Sequence, residues 1–330
     1  MSDATTTYDI EETLTKFGFG KSDITKVQNG EVVHVADDTL TDRDVATKIA
    51  FKVEDAGMDA FDQVFLESPH KQESDDTIQQ MVVDATTEGD GNLKFDTVQL
   101  LPKECVSEVM KLYTTFKGGD ALNLSDKEIE MFQGLGKKAT QEQIEEVLGK
   151  VLQGRYLEYQ QRGLEGISPY RRAKNKDFYP GKELLEKTQK SKLLHQHATE
   201  FGRYIESWPN GSDPDNNAQE TFGWMNYKID NKPSIALYHR IVWTDTKRNS
   251  KFLMHRTYYV SIGHNSVQQV GFAVPTNTRI LLGFSSRTST DKVTGFGGSA
   301  KRAIGSRIMG GRIAENMEAL REANYQHRHE

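Results

Sequence analysis

The chain has 330 residues, 36% of them apolar and 27% charged, with a formal net charge of −6. That length holds one elaborated domain or two ordinary ones, and that apolar share excludes an intrinsically disordered chain. The mild negative charge excludes a broad electrostatic grip on nucleic acid and disfavours anionic membranes overall, although a local basic patch can still dock.

No run approaches the roughly 18 consecutive apolar residues that a transmembrane helix needs. The stretch from Met1 to Phe17 carries Asp3, Asp9, Glu11 and Glu12 and lacks an apolar core, so it does not read as a signal peptide. The default compartment is the cytoplasm, with the periplasm as the alternative if a leader has been removed. The single cysteine, Cys105, excludes an internal disulfide and a cysteine metal cluster.

In chain order, residues 10–19 predict a short helix ending near Gly18 or Gly20. Two strands follow, one with Val32, Val33 and Val35, the other from Val45 to Val53. On the second, Val45, Thr47, Ile49, Phe51 and Val53 share a face. Residues 57–67 have helical spacing, and 78–84 and 93–100 read as extended segments around the turn Glu88-Gly89-Asp90-Gly91-Asn92.

From 102 to 207 the pattern is helical. Ser125-x-x-Glu128 and Thr140-x-x-Gln143 match the capping box. Ile144, Val147, Leu148, Val151, Leu152 and Tyr156 form an apolar stripe, and Gly181 to Trp208 reads as one helix. After the polar linker 209–219, five β-rich runs (221–228, 234–243, 251–262, 267–274 and 278–286) predict an antiparallel meander. Residues 299–323 predict one long helix, with Ile304, Ile308, Met317 and Leu320 on one face, while Gly305, Gly310 and Gly311, each costly in a helix interior, imply close backbone approach, a bend, or a break near 310. The expected organisation is an N-terminal helix and first strands (1–101), a helical insertion (102–208), a linker (209–220), and a meander with a C-terminal helix (221–330) that joins 31–101 in one composite domain.

This order resembles the START-like, or helix-grip, fold over roughly 31–100 and 221–323, with the helical block as an insertion. The resemblance implies an α+β fold in which a curved antiparallel sheet and a long C-terminal helix enclose an apolar cavity. More locally, Gln161-Arg162-Gly163-Leu164-Glu165-Gly166-Ile167-Ser168-Pro169-Tyr170 resembles a segment of an uncharacterised bacterial protein family. Tyr258-Tyr259-Val260-Ser261 and Gly295-Phe296-Gly297-Gly298 look similar too, while Gly263-His264 departs from that pattern. This second likeness implies one coherent fold and adds no chemistry.

Five groups are candidates for function, each beside a plainer role. Arg162 to Arg172 is a Gly- and Pro-punctuated loop, or else a connector with Tyr170 packed down and Arg171 and Arg172 solvated. On the meander, Tyr238, Arg240 and Val242 face opposite His239, Ile241 and Trp243. Likewise His255, Thr257, Tyr259 and Ser261 face opposite Arg256, Tyr258 and Val260. His239 and His255, if both inward, would serve as acid and base or metal ligands; otherwise they are satisfied core residues.

His195 and His197 point to different sides of a helix, and His327 and His329 belong to a polar tail. The run Thr294 to Ser299 leading to Lys301 and Arg302 is an anion cradle or a hinge, without P-loop spacing. Cys105 is an activated thiol or a buried one.

The favoured expectation is non-catalytic binding of an apolar or amphipathic small molecule, lipid included. Its ligand-binding residues would be His239, Trp243, His255, Tyr259 and Arg302, with no metal, no cofactor and no nucleic acid, and a homo-oligomer as a possible state. An enzyme built on the meander's His and Tyr residues, and a scaffold acting through 102–208, are the alternatives.

Overall fold

A computed structural model of the chain describes residues 7–54, 61, 77–84, 93–100, 106–229, 232–277 and 279–327. Two short helices open it, α1 (Ile10–Phe17) and α2 (Lys21–Gln28). Asp9 caps α1 by accepting from the Glu12 amide, and Gly18 ends it in a left-handed conformation. The sequence pattern contains no α2, because Lys21–Gln28 buries only Ile24 and Val27.

The frame is an eight-stranded, open antiparallel sheet in the order β1-β2-β10-β9-β8-β7-β6-β3. Its strands are β1 (Val33–Ala36), β2 (Asp44–Glu54), β3 (Thr77–Asp84), β6 (Ala218–Ile229), β7 (Lys232–Asp245), β8 (Ser250–Val260), β9 (Ser266–Pro275) and β10 (Arg279–Ser289). The five runs after the linker thus form a continuous meander. A two-residue ladder, β4 (Tyr170–Arg171) with β5 (Asp177–Phe178), stands apart. Residues 93–100, expected to be extended, hold no strand; they form an irregular segment whose Leu93, Phe95, Val98 and Leu100 are buried.

One face of the sheet carries α1, α2 and the helical block. The block comprises α3 (Val106–Thr115), α4 (Asp126–Gly134), α5 (Gln141–Arg162), α6 (Pro180–Gln189), α7 (Lys192–His197) and α8 (Thr199–Ser207). Both expected capping boxes form, Ser125 with Glu128 and Thr140 with Gln143, each fixing a helix start by about 1 kcal/mol. The single helix expected from Gly181 to Trp208 is three, because Ser191 and Ala198 leave helical geometry (ψ 107° and 50°). Those breaks let Leu184, then Leu193 and Leu194, then Phe201 and Ile205 all reach the sheet.

The other face carries α9 (Gly298–His327), which packs on β2 and β1. Its close approach is set at Gly310: a Cβ there would lie 2.6 Å from His34 Nδ1 and 2.7 Å from Thr47 Oγ1. Ile313 and Met317 continue this contact. Ile304 and Ile308, expected to share a face with Met317, instead point outward. At about 100° per residue they lie nearly opposite Gly310 and Met317. The protein is therefore α+β, with a large antiparallel sheet between a helical layer and a C-terminal helix. Among the described residues, no helix is long and apolar enough to cross a membrane.

Candidate functional site

Alternation along β7 holds as expected, and the register separates the two meander histidines. His239 pairs with Arg256, and Arg240 pairs with His255, so His239 faces the helices and His255 faces the α9 side. They cannot act as one acid–base pair. A bulge then breaks the alternation on β8: Leu237 pairs with Tyr259 and Tyr238 with Thr257, leaving Tyr258 extra. Tyr258 and Tyr259 both join the core beneath the helical block, so Tyr259 does not share a face with His255.

Under the helices, His239 sits in a closed polar chain. Its Nδ1 lies 3.1 Å from the Tyr159 hydroxyl and its Nε2 3.2 Å from Glu220 Oε2. Arg256 donates to the same Tyr159 hydroxyl (3.2 Å), to Thr188 and to Gln268. Glu220 also accepts from Tyr204 and from Trp208 Nε1. Burial pushes His239 below the ordinary imidazole value, against the pull of Glu220.

A neutral imidazole therefore donates Nε2–H to Glu220 and accepts the Tyr159 proton at Nδ1. Burial works to raise the Glu220 carboxyl, but the hydrogen bonds from His239, Tyr204 and Trp208 hold it below its usual range. Burial raises the Tyr159 phenol despite Arg256. The chain can relay a proton, but Tyr159 and His239 are both fully enclosed. Tyr258 stacks on Tyr159 at 3.9 Å, and Phe222 stacks on His239 at 4.2 Å. Neither ring reaches solvent, and the network ties α5 to β6–β8.

Trp243 faces the same side farther along, between Phe201 and Tyr204. Tyr259 lies beneath Arg155, whose guanidinium stands 4.3 Å from its ring and pairs with Glu128 at 2.6 Å. His239, Trp243 and Tyr259 therefore share the helical face but belong to separate clusters.

The α9 face is organised in rows across the strands. One row reads Ile49, Phe284, Gly271, Leu253 and Val242; the adjacent row reads Thr47, Ser286, Gln269, His255, Arg240 and Thr221. An apolar row thus lies directly beside a wholly polar one across five strands, from β2 to β7. Phe51, Leu282 and Ala273 extend the apolar side. Arg240 is buried, and its desolvation lowers the guanidinium value. The Tyr238 ring stacks on His255 at 5.0 Å and lies over Gly223, where a Cβ would meet the ring at 2.2 Å. Phe61 is buried in the apolar cluster of this face.

The remaining candidates resolve individually. Arg302 ties the start of α9 to the sheet by donating to the Asp42 carbonyl at 2.9 Å. Tyr170 packs down as expected, but Arg171 and Arg172 are not simply solvated. Arg171 pairs with Asp126, and Arg172 binds Asp291, Asn123, Asn265 and the Gly119 carbonyl, because buried carbonyls and amides there need a donor. His195 is partly exposed and His197 half-buried. Cys105, the segment 57–67 apart from Phe61, and His329 lie outside the described residues.

Surface depressions lie elsewhere, among them one of about 540 Å³ between Tyr8, Glu12, His197 and Arg248. A groove of about 760 Å³ runs between residues 93–99 and α5, and a cleft of about 200 Å³ surrounds His264, Asn123 and Lys292. Among the described residues, no cluster of His, Cys, Asp and Glu is arranged to hold a metal ion.

Sequence reasoning passed over Tyr159, Glu220, Arg256 and Arg240 as site residues. The first sits within an apolar helix stripe, and the others are common surface types. The signal that finds them is charge inside a β-run: Arg240 and Arg256 each interrupt an otherwise apolar or aromatic strand. Compared with known proteins, the chain finds no significant match to a family model, a curated protein or a solved structure.

Proposed function

We propose that the protein is a non-catalytic binder of an amphipathic, anionic small molecule of the fatty-acid or lipid kind, held on the α9 face of the sheet. The observation that carries this reading is the apolar row Ile49-Phe284-Gly271-Leu253-Val242 lying against the polar row that contains Arg240 and His255. A hydrocarbon chain follows the first row, and a carboxylate or phosphate head meets the second. Arginine suits such a head because its fork bonds it in two places and never loses its charge. Phe61 is buried in the same apolar cluster, and the ligand's chain takes its place there. The element order, a sheet with a long last helix, supports the likeness to helix-grip proteins, whose ligands bind between those two parts.

The test is a fluorescence titration with a polyene fatty acid and its corresponding alcohol. The acid should bind saturably at one site. Either the alcohol or an Arg240→Met variant should lose about 10-fold or more, the worth of one charge-assisted hydrogen bond. Equal binding of acid and alcohol, or no saturable binding, contradicts the reading even if the variant does not fold.

A further inference from the structure

The outward face of α9 is chemically unlike the rest of the surface. Among the described residues the exposed large apolar side chains are Leu157, Tyr179, Phe296, Ile304 and Ile308, and three of these five fall within one short segment. Phe296 protrudes fully (103% exposed) from the turn that opens α9, between Gly295 and Gly297, both with positive φ. Ile304 and Ile308, 61% and 53% exposed, follow one turn apart on the helix. Lys301, Arg307 and Arg312 are exposed and, at about 100° per residue, lie within roughly 80° of Ile304.

From Lys292 to Ala314 the sequence holds five basic residues (Lys292, Lys301, Arg302, Arg307, Arg312) and no acidic one, in a chain of net charge −6; the basic stretch ends at Glu315, exposed about 20° from Ile304. The inner side of the same helix is committed to the sheet through Gly310, Ile313 and Met317. Arg302 is tied to the Asp42 carbonyl, whereas Lys301, Arg307, Arg312, Ile304 and Ile308 stand exposed on its outer side.

We propose that this face docks the protein peripherally on an anionic lipid surface. Ile304 and Ile308, with Phe296 ahead of them, enter the headgroup boundary, and Lys301, Arg307 and Arg312 meet the lipid phosphates and carboxylates. The chemistry matches that of interfacial helices, which pair an apolar stripe with Lys and Arg. Net negative charge does not prevent this, because at physiological ionic strength the Debye length is about 8 Å and the bilayer senses the face against it. A second copy is a poorer occupant, since a two-fold contact through this face sets the same basic residues against one another. Nucleic acid is poorer too, since it gives the two isoleucines nothing to bury. The proposal is independent of the ligand site on the α9 face of the sheet.

The experiment is co-sedimentation of the full chain with vesicles of phosphatidylcholine alone and of an equimolar mixture with phosphatidylserine. The protein should pellet with the mixed vesicles and remain in solution with the neutral ones. Arg307→Gln/Arg312→Gln should weaken binding about 25-fold, roughly fivefold per residue, and high salt should release the protein. Ile304→Ser/Ile308→Ser should also release it, with an unchanged far-UV spectrum because both side chains are exposed. The proposal is overturned by absence from the mixed vesicles, by equal binding to both kinds, or by variants that bind like the wild type. A salt-resistant dimer lost in the isoleucine variant, or retention of RNA without vesicle binding, assigns the face to another partner and overturns it equally.

Discussion

Replacing Tyr159 with phenylalanine removes one oxygen from the centre of the molecule and leaves its packing in place. The ring keeps its stacks on Tyr258 at 3.9 Å and on Trp208 at 4.8 Å. What disappears is the hydroxyl that joins His239 Nδ1 to Arg256 Nη1. His239 Nδ1 becomes a buried acceptor without a partner, worth about 1–3 kcal/mol, while Arg256 keeps its bonds to Thr188 and Gln268 and loses about 1 kcal/mol. The expected loss is therefore about 2–4 kcal/mol.

With a urea m-value of about 3 kcal/mol/M, the unfolding midpoint falls by roughly 1 M at unchanged slope. Tyr179→Phe, at an exposed ring, is the control and should leave the midpoint unchanged. A Tyr159→Phe midpoint within about 0.2 M of wild type would refute the argument that this buried chain locks α5 to the sheet.

Three further outcomes follow from the same geometry. Lys187 is fully buried, 3.1 Å from Glu183 and 3.6 Å from Asp44, in ion-pair contact without hydrogen-bond geometry. Lys187→Met should cost about 3–5 kcal/mol by stranding Glu183 and leaving Asp44 paired with Arg287, and adding Glu183→Leu should restore part of it, both read by thermal unfolding. Gly310→Ala should destabilise by about 1–3 kcal/mol through the clash with His34 and Thr47. Gly311→Ala, which meets nothing within 4 Å, should stabilise by up to about 1 kcal/mol, and the reverse order of the two would show that α9 docks differently.

Stability should also fall in acid. Burial holds His239 below 6.5, and burial with Lys187 and Lys292 nearby holds His264 at about 4. The unfolded chain takes up those protons first, so this stability is fully present above pH 6.5 and drains away as pH falls toward 4. Urea midpoints that stay level across that window would contradict the lowered values of the two imidazoles.

Much of the frame was legible because its signals are local. Two capping boxes, the stripe on α5, and alternation on β2 and β7 each need only neighbours in sequence. The bulge at Tyr258 was not legible, since nothing in Thr257-Tyr258-Tyr259-Val260 distinguishes a bulged residue from a paired one, yet it moves Tyr259 away from the face of His255. The breaks at Ser191 and Ala198 were hidden by an apolar pattern that three short helices satisfy as well as one. On α9, apolarity pointed wrongly at Ile304 and Ile308, but the interior glycines pointed rightly to close backbone approach, which occurs at Gly310 with Ile313 and Met317 beyond. The rows on the α9 face depend on register across six strands, which alternation within a single strand cannot supply. His239 was found, but its partners Tyr159 and Glu220 come from distant elements.

The most direct test of the proposed ligand site is photolabelling with a fatty acid carrying a diazirine along its chain, followed by peptide mass spectrometry. Label on Val242, Leu253 or Phe284, competed by unlabelled acid and lost in Arg240→Met, is the result expected. Label confined to the groove between residues 93–99 and α5, or spread over the surface without competition, would contradict it.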